Sequence, residues 1–315
     1  MEIYEHRAGQ QVHQHWLLSI TVLVLIVFGT LAILQTIAIG LIPVLFGISF
    51  DQLPGLLQTT LNHPNSRMAF LFIQGLGGGL AFLAGGWIFI RFVDKKTLKI
   101  KTHFTRTIPA QIGITVPLLL GFVLLNSLLV YLNMNVEFPD SMRGLETMFR
   151  EKEDQLMQLT RFLTDFDSVG ELLMGVLVIG VLAGIGEEYL FRGILQPKLH
   201  HYTGSAHLGV WITAFIFSAI HFQFYGFLPR LMLGALFGYL YLYSGSLVYP
   251  TLAHILNNTF TVFMVYLNKF DLVEFDMEDS SQLHWEYVLL GAIVFLMSWR
   301  MFLKLEKSKQ YGKMA

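Results

Sequence analysis

Long apolar runs alternate with short polar segments along this sequence of 315 residues. A helix needs roughly 20 predominantly apolar residues to cross a bilayer. Eight segments can be drawn on that basis, of which the fifth and seventh are short and carry polar residues: 16–48, 68–90, 108–132, 172–190 and beyond, 208–224, 228–247, 251–267 and 285–303. Because a helix satisfies its own backbone hydrogen bonds in lipid, the pattern predicts an all-α, polytopic transmembrane helix bundle with about eight spans.

The composition supports a membrane protein. Hydrophobic residues make up 54% of the chain and charged residues only 14%, which is more apolar surface than one soluble core can hide. The lipid bilayer is therefore an expected partner. The net charge of -1 argues against nucleic acid as a partner. The absence of cysteine excludes a thiol nucleophile and a zinc–thiolate site.

The distribution of charged residues predicts the orientation in the membrane. Basic residues cluster after the second and after the last apolar run, which places both segments in the cytoplasm. These residues are Arg91, Lys95, Lys96, Lys99, Lys101, Arg106, Lys304, Lys307, Lys309 and Lys313. With eight spans both termini are cytoplasmic, and the first run is an uncleaved span. We expect a multi-pass protein of a bacterial inner (cytoplasmic) membrane.

With eight spans and a cytoplasmic basic loop, the loop at residues 133–171 is predicted to be external, and it is rich in acidic residues. Within it, apolar residues recur at near-helical spacing: Leu145, Met148, Phe149, Leu156, Leu159, Phe162 and Leu163. This spacing favours an amphipathic helix that lies on the membrane surface or caps the bundle. A solvated connector is the alternative.

Glycines interrupt two of the apolar runs. Residues 75–79 contain four glycines in an apolar setting, which favours close helix contact over a phosphate-binding loop. Gly184 and Gly186 precede an acid pair, where small residues allow a second helix or a substrate backbone to approach.

Two adjacent glutamates lie at the end of the fourth run, where ionisable groups are costly and usually functional. Glu188 and Arg192 are four residues apart in the favourable order for an ion pair on one helical face. Glu187 lies about 100° round the helix axis and has no basic residue at i+3 or i+4. Glu187 is thus the candidate general base, and a purely structural cluster of all three charges is the alternative.

Further polar residues follow in the next apolar runs. His221 is four residues after Phe217, and His254 is four residues before Asn258 on one helical face. Unpaired polar groups in lipid cost several kcal/mol each, so these side chains are expected to converge with Glu187.

This set suits hydrolysis without a covalent intermediate. Glu187 would deprotonate a water, His221 would orient it or share its proton, and His254 with Asn258 would donate to the oxyanion. A zinc site is the competing interpretation, since two histidines and a carboxylate can hold that metal. Against zinc, the histidines lack the close i, i+4 spacing, and an amide is a poor zinc ligand.

At these positions the sequence resembles the CAAX prenyl endopeptidases and their bacterial relatives, the CPBP or Abi family of intramembrane proteases. The family's three motifs are a Glu–Glu pair with Arg four after the second Glu, a Phe and His four apart, and a His and Asn four apart. They occur here in the same order as Glu187, Glu188 and Arg192; Phe217 and His221; His254 and Asn258.

The resemblance implies a metal-independent glutamate protease without cofactor that acts on a peptide or membrane-protein substrate. It implies catalytic roles for Glu187, His221, His254 and Asn258, and structural roles for Glu188 and Arg192. Residues 171–268 would form the catalytic core, between N-terminal spans at 1–170 and a C-terminal span and tail at 269–315. A non-enzymatic membrane protein that binds a peptide or confers immunity to a peptide toxin is the alternative from another class.

One constraint concerns the fourth helix. If it starts at Leu172 and ends near Glu187, this residue lies far from His221 in membrane depth. We therefore expect the helix to continue past Arg192 toward His200, with Gln196 and Lys198 reaching the interface by snorkelling; a later start, or a fifth helix that begins near Tyr202, is the alternative.

Overall fold

The computed structural model describes residues 4–6, 15–58, 60–98, 100–273 and 283–312. Within these ranges the chain forms eleven helices. They are α1 (Trp16–Phe46), α2 (Leu53–Leu57), α3 (Ser66–Val93), α4 (Ile100–Thr105), α5 (Pro109–Met134), α6 (Arg143–Thr164), α7 (Val169–Thr203), α8 (Ala206–Ala219), α9 (Phe227–Ser244), α10 (Val248–Lys269) and α11 (Trp285–Gly312).

Two short elements complete the description. The strands β1 (Tyr4–His6) and β2 (Lys96–Leu98) pair antiparallel, with Glu5 opposite Thr97. Single turns of 3-10 helix occupy Phe50–Gln52 and Asp140–Met142. Lys99 of the basic loop and Lys313 of the tail lie outside the described residues.

Each of the eight apolar segments overlaps one helix, so the prediction of an all-α polytopic bundle is confirmed. Among the described residues, five helices are long and apolar enough to cross a membrane. They are α1, α3, α5, α7 and the part of α11 from Trp285 to Ser308. Helices α8, α9 and α10 are shorter or more polar; Phe217 lies in α8, and His254 and Asn258 lie in α10. The chain is a multi-pass membrane protein.

Helix α7 runs without interruption through the acid pair to Thr203, which confirms the expected continuation past Arg192. It is 35 residues long, or about 52 Å at 1.5 Å per residue. Glu187 therefore lies near the middle of its length. Near the far end, Lys198 forms an ion pair with Asp94 at 2.8 Å, which fixes α7 against the end of α3.

Glycine contacts set the distance between α3 and α7. A side chain on Gly79 would collide with the carbonyl of Leu182, and one on Gly186 would collide with the carbonyl of Gly79. The expected close helix contact at these glycines is thus present. Because the two backbones touch there, α7 cannot slide along α3 without a steric clash, and the acid pair is held at a fixed position along α3.

Helix α6 is amphipathic and packs on the bundle, so the interpretation as a solvated connector is wrong. The ring of Phe149 stacks on Phe224 with centroids 4.8 Å apart and an interplanar angle of 1°. Gln223 Nε2 donates to Glu153 Oε1 at 2.8 Å. These contacts place α6 over the turn that joins α8 and α9, and burial of its apolar face is the reason for the packing.

Candidate active site

The ion pair expected between Glu188 and Arg192 forms the buried centre of the site. Arg192 Nη1 donates to Glu188 Oε1 at 2.6 Å, and both side chains are 0% exposed. The second amine of the guanidinium, Nη2, donates to the carbonyl of Gly234 at 2.8 Å. Each charge thus has a partner at short range, while Glu188 Oε2 and Arg192 Nε have no hydrogen-bond partner among the described residues.

Aromatic rings enclose this ion pair. The guanidinium carbon of Arg192 lies 4.8 Å from the ring centroid of Phe217 and 5.4 Å from that of Phe237. A cation over an aromatic face is stabilised by the ring quadrupole, so the rings compensate for part of the lost hydration. Phe217 is the first residue of the second motif, and its contact with the guanidinium gives a physical reason for an aromatic side chain at this position. Phe237 was not singled out from the sequence.

His254 connects the two glutamates. Its Nδ1 lies 2.8 Å from Glu188 Oε1, and a carboxylate only accepts hydrogen bonds, so Nδ1 carries the hydrogen. Its Nε2 lies 3.9 Å from Glu187 Oε2. The imidazole stacks on Phe237, with centroids 5.0 Å apart. The ring is thereby oriented with its outer nitrogen toward Glu187.

Glu187 is more exposed than Glu188 and is not paired with an arginine. Its side chain is 15% exposed, and its carboxylate has no hydrogen-bond partner and no Lys or Arg partner among the described residues. The helical offset expected from the sequence therefore separates a paired carboxylate from one that remains available. An available carboxylate next to an imidazole can accept a proton from a water molecule.

His221 does not lie in a helix, contrary to the prediction that the fifth span continues to residue 224. Helix α8 ends at Ala219, because Phe222 has a left-handed backbone with φ of 55° that cannot continue a right-handed helix. Nδ1 of His221 donates to the carbonyl of Phe217 at 2.7 Å. This bond fixes the tautomer and leaves Nε2 as an acceptor in the neutral ring.

The two histidines flank one ring. Phe217 meets the imidazole of His221 edge-on at a centroid distance of 5.2 Å and that of His254 at 5.8 Å. No direct hydrogen bond joins His221 to Glu187 within the described part of the chain. The second and third motifs therefore meet at the ring of Phe217.

Asn258 lies one helical turn beyond His254 and contacts α7. Its Nδ2 donates to the carbonyl of Ile179 at 3.0 Å. That carbonyl belongs to the wider π-helical turns at Val176–Leu182, where backbone acceptors are freed from the regular ladder. The Oδ1 of Asn258 accepts from Asn257 Nδ2 at 3.2 Å. One amide hydrogen of Asn258 is thus engaged, and Asn257 is in contact with it.

The described residues contain no group of three His, Asp or Glu side chains placed to hold a metal ion. Glu187 and His254 approach each other, but His221 is directed by its bond to Phe217 and does not complete a ligand set with them. The zinc interpretation of these residues gains no support from their arrangement.

Comparison with known proteins identifies the region that holds the site. Residues 169–260 match the family model described as Type II CAAX prenyl endopeptidase Rce1-like, which confirms the resemblance noted in the sequence. A similar curated protein is the uncharacterized protein YpbD of Bacillus subtilis (strain 168), which is 31% identical over 83 residues. The matched segment covers 25% of this chain and 39% of that relative. No solved structure matches the chain.

Proposed function

We propose that the Rce1-like domain at residues 169–260 is an intramembrane endopeptidase in which Glu187 activates the attacking water. The observation that carries this proposal is the difference between the two adjacent carboxylates. Glu188 is fully buried and paired with Arg192, whereas Glu187 makes no hydrogen bond to the described residues and lies 3.9 Å from the Nε2 of His254. A protein that used the acids only for packing would gain nothing from leaving one of them unpaired.

In the proposed reaction a water molecule attacks the carbonyl carbon of the scissile peptide bond. Glu187 accepts one proton from that water, and the Nε2 of His221 accepts a hydrogen bond from it. The tetrahedral intermediate then collapses as the C–N bond breaks, and the proton held by Glu187 passes to the leaving amine. No covalent bond to the protein forms.

The negative charge that develops on the carbonyl oxygen needs hydrogen-bond donors. His254 can supply one from Nε2 in the doubly protonated form of its ring, since Nδ1 already donates to Glu188. Asn258 supplies its second amide hydrogen, while the first anchors the side chain to Ile179. The bond to Ile179 thereby orients the amide instead of competing with its function.

We propose a peptide or membrane-protein substrate that reaches the site from the bilayer. The middle position of Glu187 on α7 supports a site inside the membrane. The proposal includes a location in a bacterial inner membrane. It also includes cytoplasmic termini and an external α6, an orientation that follows from the distribution of basic residues.

The decisive experiment is purification in detergent followed by a peptide-cleavage screen, run in parallel on the wild-type protein and on Glu187→Gln. Cleavage by the wild type alone, insensitive to a strong chelator, is the expected result. Cleavage that disappears with chelator and returns with zinc would favour the metal-dependent alternative, and equal cleavage by both proteins would remove Glu187 from the mechanism.

A further inference from the structure

Arg230 is a charged residue near the site that belongs to none of the three motifs. It lies in the first turn of α9, the helix whose Gly234 and Gly238 carbonyls accept hydrogen bonds from Arg192 and Gln196 of α7. Those two bonds are four residues apart on both helices, so α7 and α9 run side by side in the same direction. Arg230 is one turn before Gly234 on this face and therefore points toward the part of α7 that carries the acid pair.

The guanidinium of Arg230 holds the turn that contains His221. Its Nη2 donates to Gln223 Oε1 at 2.6 Å, two residues after the histidine. The guanidinium also lies against Gly226, where an added Cβ would come within 3.2 Å of Nη2. Gln223 in turn donates to Glu153 at 2.8 Å. Arg230, Gln223 and Glu153 thus connect the site to the overlying helix α6.

The remaining amine of this guanidinium has no acceptor. Nη1 of Arg230 is buried and has no hydrogen-bond partner among the described residues. An unsatisfied buried donor on a cation costs free energy and requires a reason. Arg230 does not form a direct ion pair with Glu153, because Gln223 bridges the two side chains. Glu153 therefore does not explain why Nη1 is buried.

Electrostatics supplies a reason. Arg230 interacts electrostatically with Glu187 and with His221, as well as with Glu153. Arg192 is already paired with Glu188, so a second cation is needed to balance the second acid. A single positive charge near both the base and the histidine acts on both of them.

We propose that Arg230 is a positioning residue of this active site, which holds the turn that carries His221 and supplies the positive charge that balances Glu187. This inference rests on the proposed function, and it assigns a role to a residue outside the three motifs. Arg230 interrupts the apolar run at 228–247, so the reasoning that singled out Glu187 and Glu188 also applies to it.

The first test measures His221 directly and needs no substrate. Diethyl pyrocarbonate modifies a neutral imidazole, so the extent of modification at His221 against pH, read by peptide mass spectrometry, reports its protonation. Removing the nearby cation in Arg230→Met is expected to move the midpoint up by about one pH unit. Arg230 of α9 and His254 of α10 act electrostatically on this ring. The other ionisable groups of the surrounding elements are Glu187, Glu188 and Arg192 of α7 and Glu153 of α6.

Two variants serve as controls for charge. Arg230→Lys keeps the positive charge and is expected to keep the wild-type midpoint. Arg300→Met removes an exposed arginine of α11 and is expected to leave His221 unchanged. If Arg230→Met does not yield folded protein, Arg230→Gln takes its place, because its amide can still donate to Gln223. A wild-type midpoint in the neutral variant would overturn the proposal.

The second test uses cleavage. Arg230→Met is expected to lower turnover at least tenfold and to move the acidic limb of the pH–rate profile to higher pH, with Arg230→Lys close to the wild type in both. A lower rate at every pH with an unchanged profile would mean that Arg230 is only structural. Because His221 modification is independent of cleavage, a wild-type protein that cleaves no peptide would count against the proposed function and leave the first test intact.

Discussion

Replacing each of the two adjacent glutamates by glutamine should show that Glu188 is structural and Glu187 is catalytic. Glu188→Gln leaves Arg192 without its carboxylate partner in a site that is 0% exposed, and it weakens the hydrogen bond from His254. An uncompensated buried charge destabilises a protein by about 3–5 kcal/mol. Glu187→Gln removes a carboxylate with no hydrogen bond to lose, and Arg230 keeps its interactions with Gln223 and Glu153. The free energy of unfolding is therefore expected to change by less than about 1 kcal/mol.

These free energies translate into melting temperatures that can be measured in detergent. In domains of about 150–250 residues each kcal/mol lowers Tm by about 2–4 °C. Glu188→Gln should therefore lose about 6–20 °C, and Glu187→Gln should remain within a few degrees of the wild type. Turnover should not follow stability across these variants, because Glu187→Gln is expected to abolish cleavage while its fold remains intact.

The double variant Glu188→Gln, Arg192→Met is the matched control. It removes both charges, and a neutral pair of similar volume avoids the penalty of an isolated buried ion. Its Tm should recover toward the wild-type value relative to Glu188→Gln alone. Equal stability losses for Glu187→Gln and Glu188→Gln would refute the division of roles, and so would a Glu188→Gln protein as stable as the wild type.

Three further predictions concern the metal, the membrane topology and the oxyanion donor. Activity should survive strong chelation, and elemental analysis should find no stoichiometric zinc, since the proposed reaction uses only water and hydrogen-bond donors; a zinc-restored activity would contradict it. Single cysteines can be introduced without background, and an impermeant maleimide should label Glu151→Cys of α6 but not Lys101→Cys in intact cells, whereas the reverse labelling would invert the topology. Asn258→Ala should lower turnover by about 100- to 1,000-fold with little change in KM. Asn257→Ala removes only a donor to Asn258 and should lower turnover much less. Inactivation by Asn257→Ala alone would reassign the oxyanion donor.

The sequence determined the helices and the local charge geometry. Lipid tolerates only backbone that satisfies itself, so the apolar runs had to be helical, and all eight overlap helices of the structure. The spacing of Glu188 and Arg192 on one helix likewise determined their ion pair, because residues four apart share a face. The same periodicity placed Glu187 on another face, where it has no such partner.

Contacts between helices were decided only by the tertiary structure. His254 donates to Glu188 across 66 positions of the chain, and Asn258 binds a carbonyl that is available because α7 has a wider turn at Ile179. The turn that ends α8 before His221 depends on a left-handed Phe222, a conformation that the residue type does not predict. Periodicity along one helix shows which side chains share a face, but the rotation and depth of neighbouring helices are set by steric contacts such as those at Gly79 and Gly186. Those contacts determine which polar groups meet, and the polar groups then take the hydrogen bonds that burial requires.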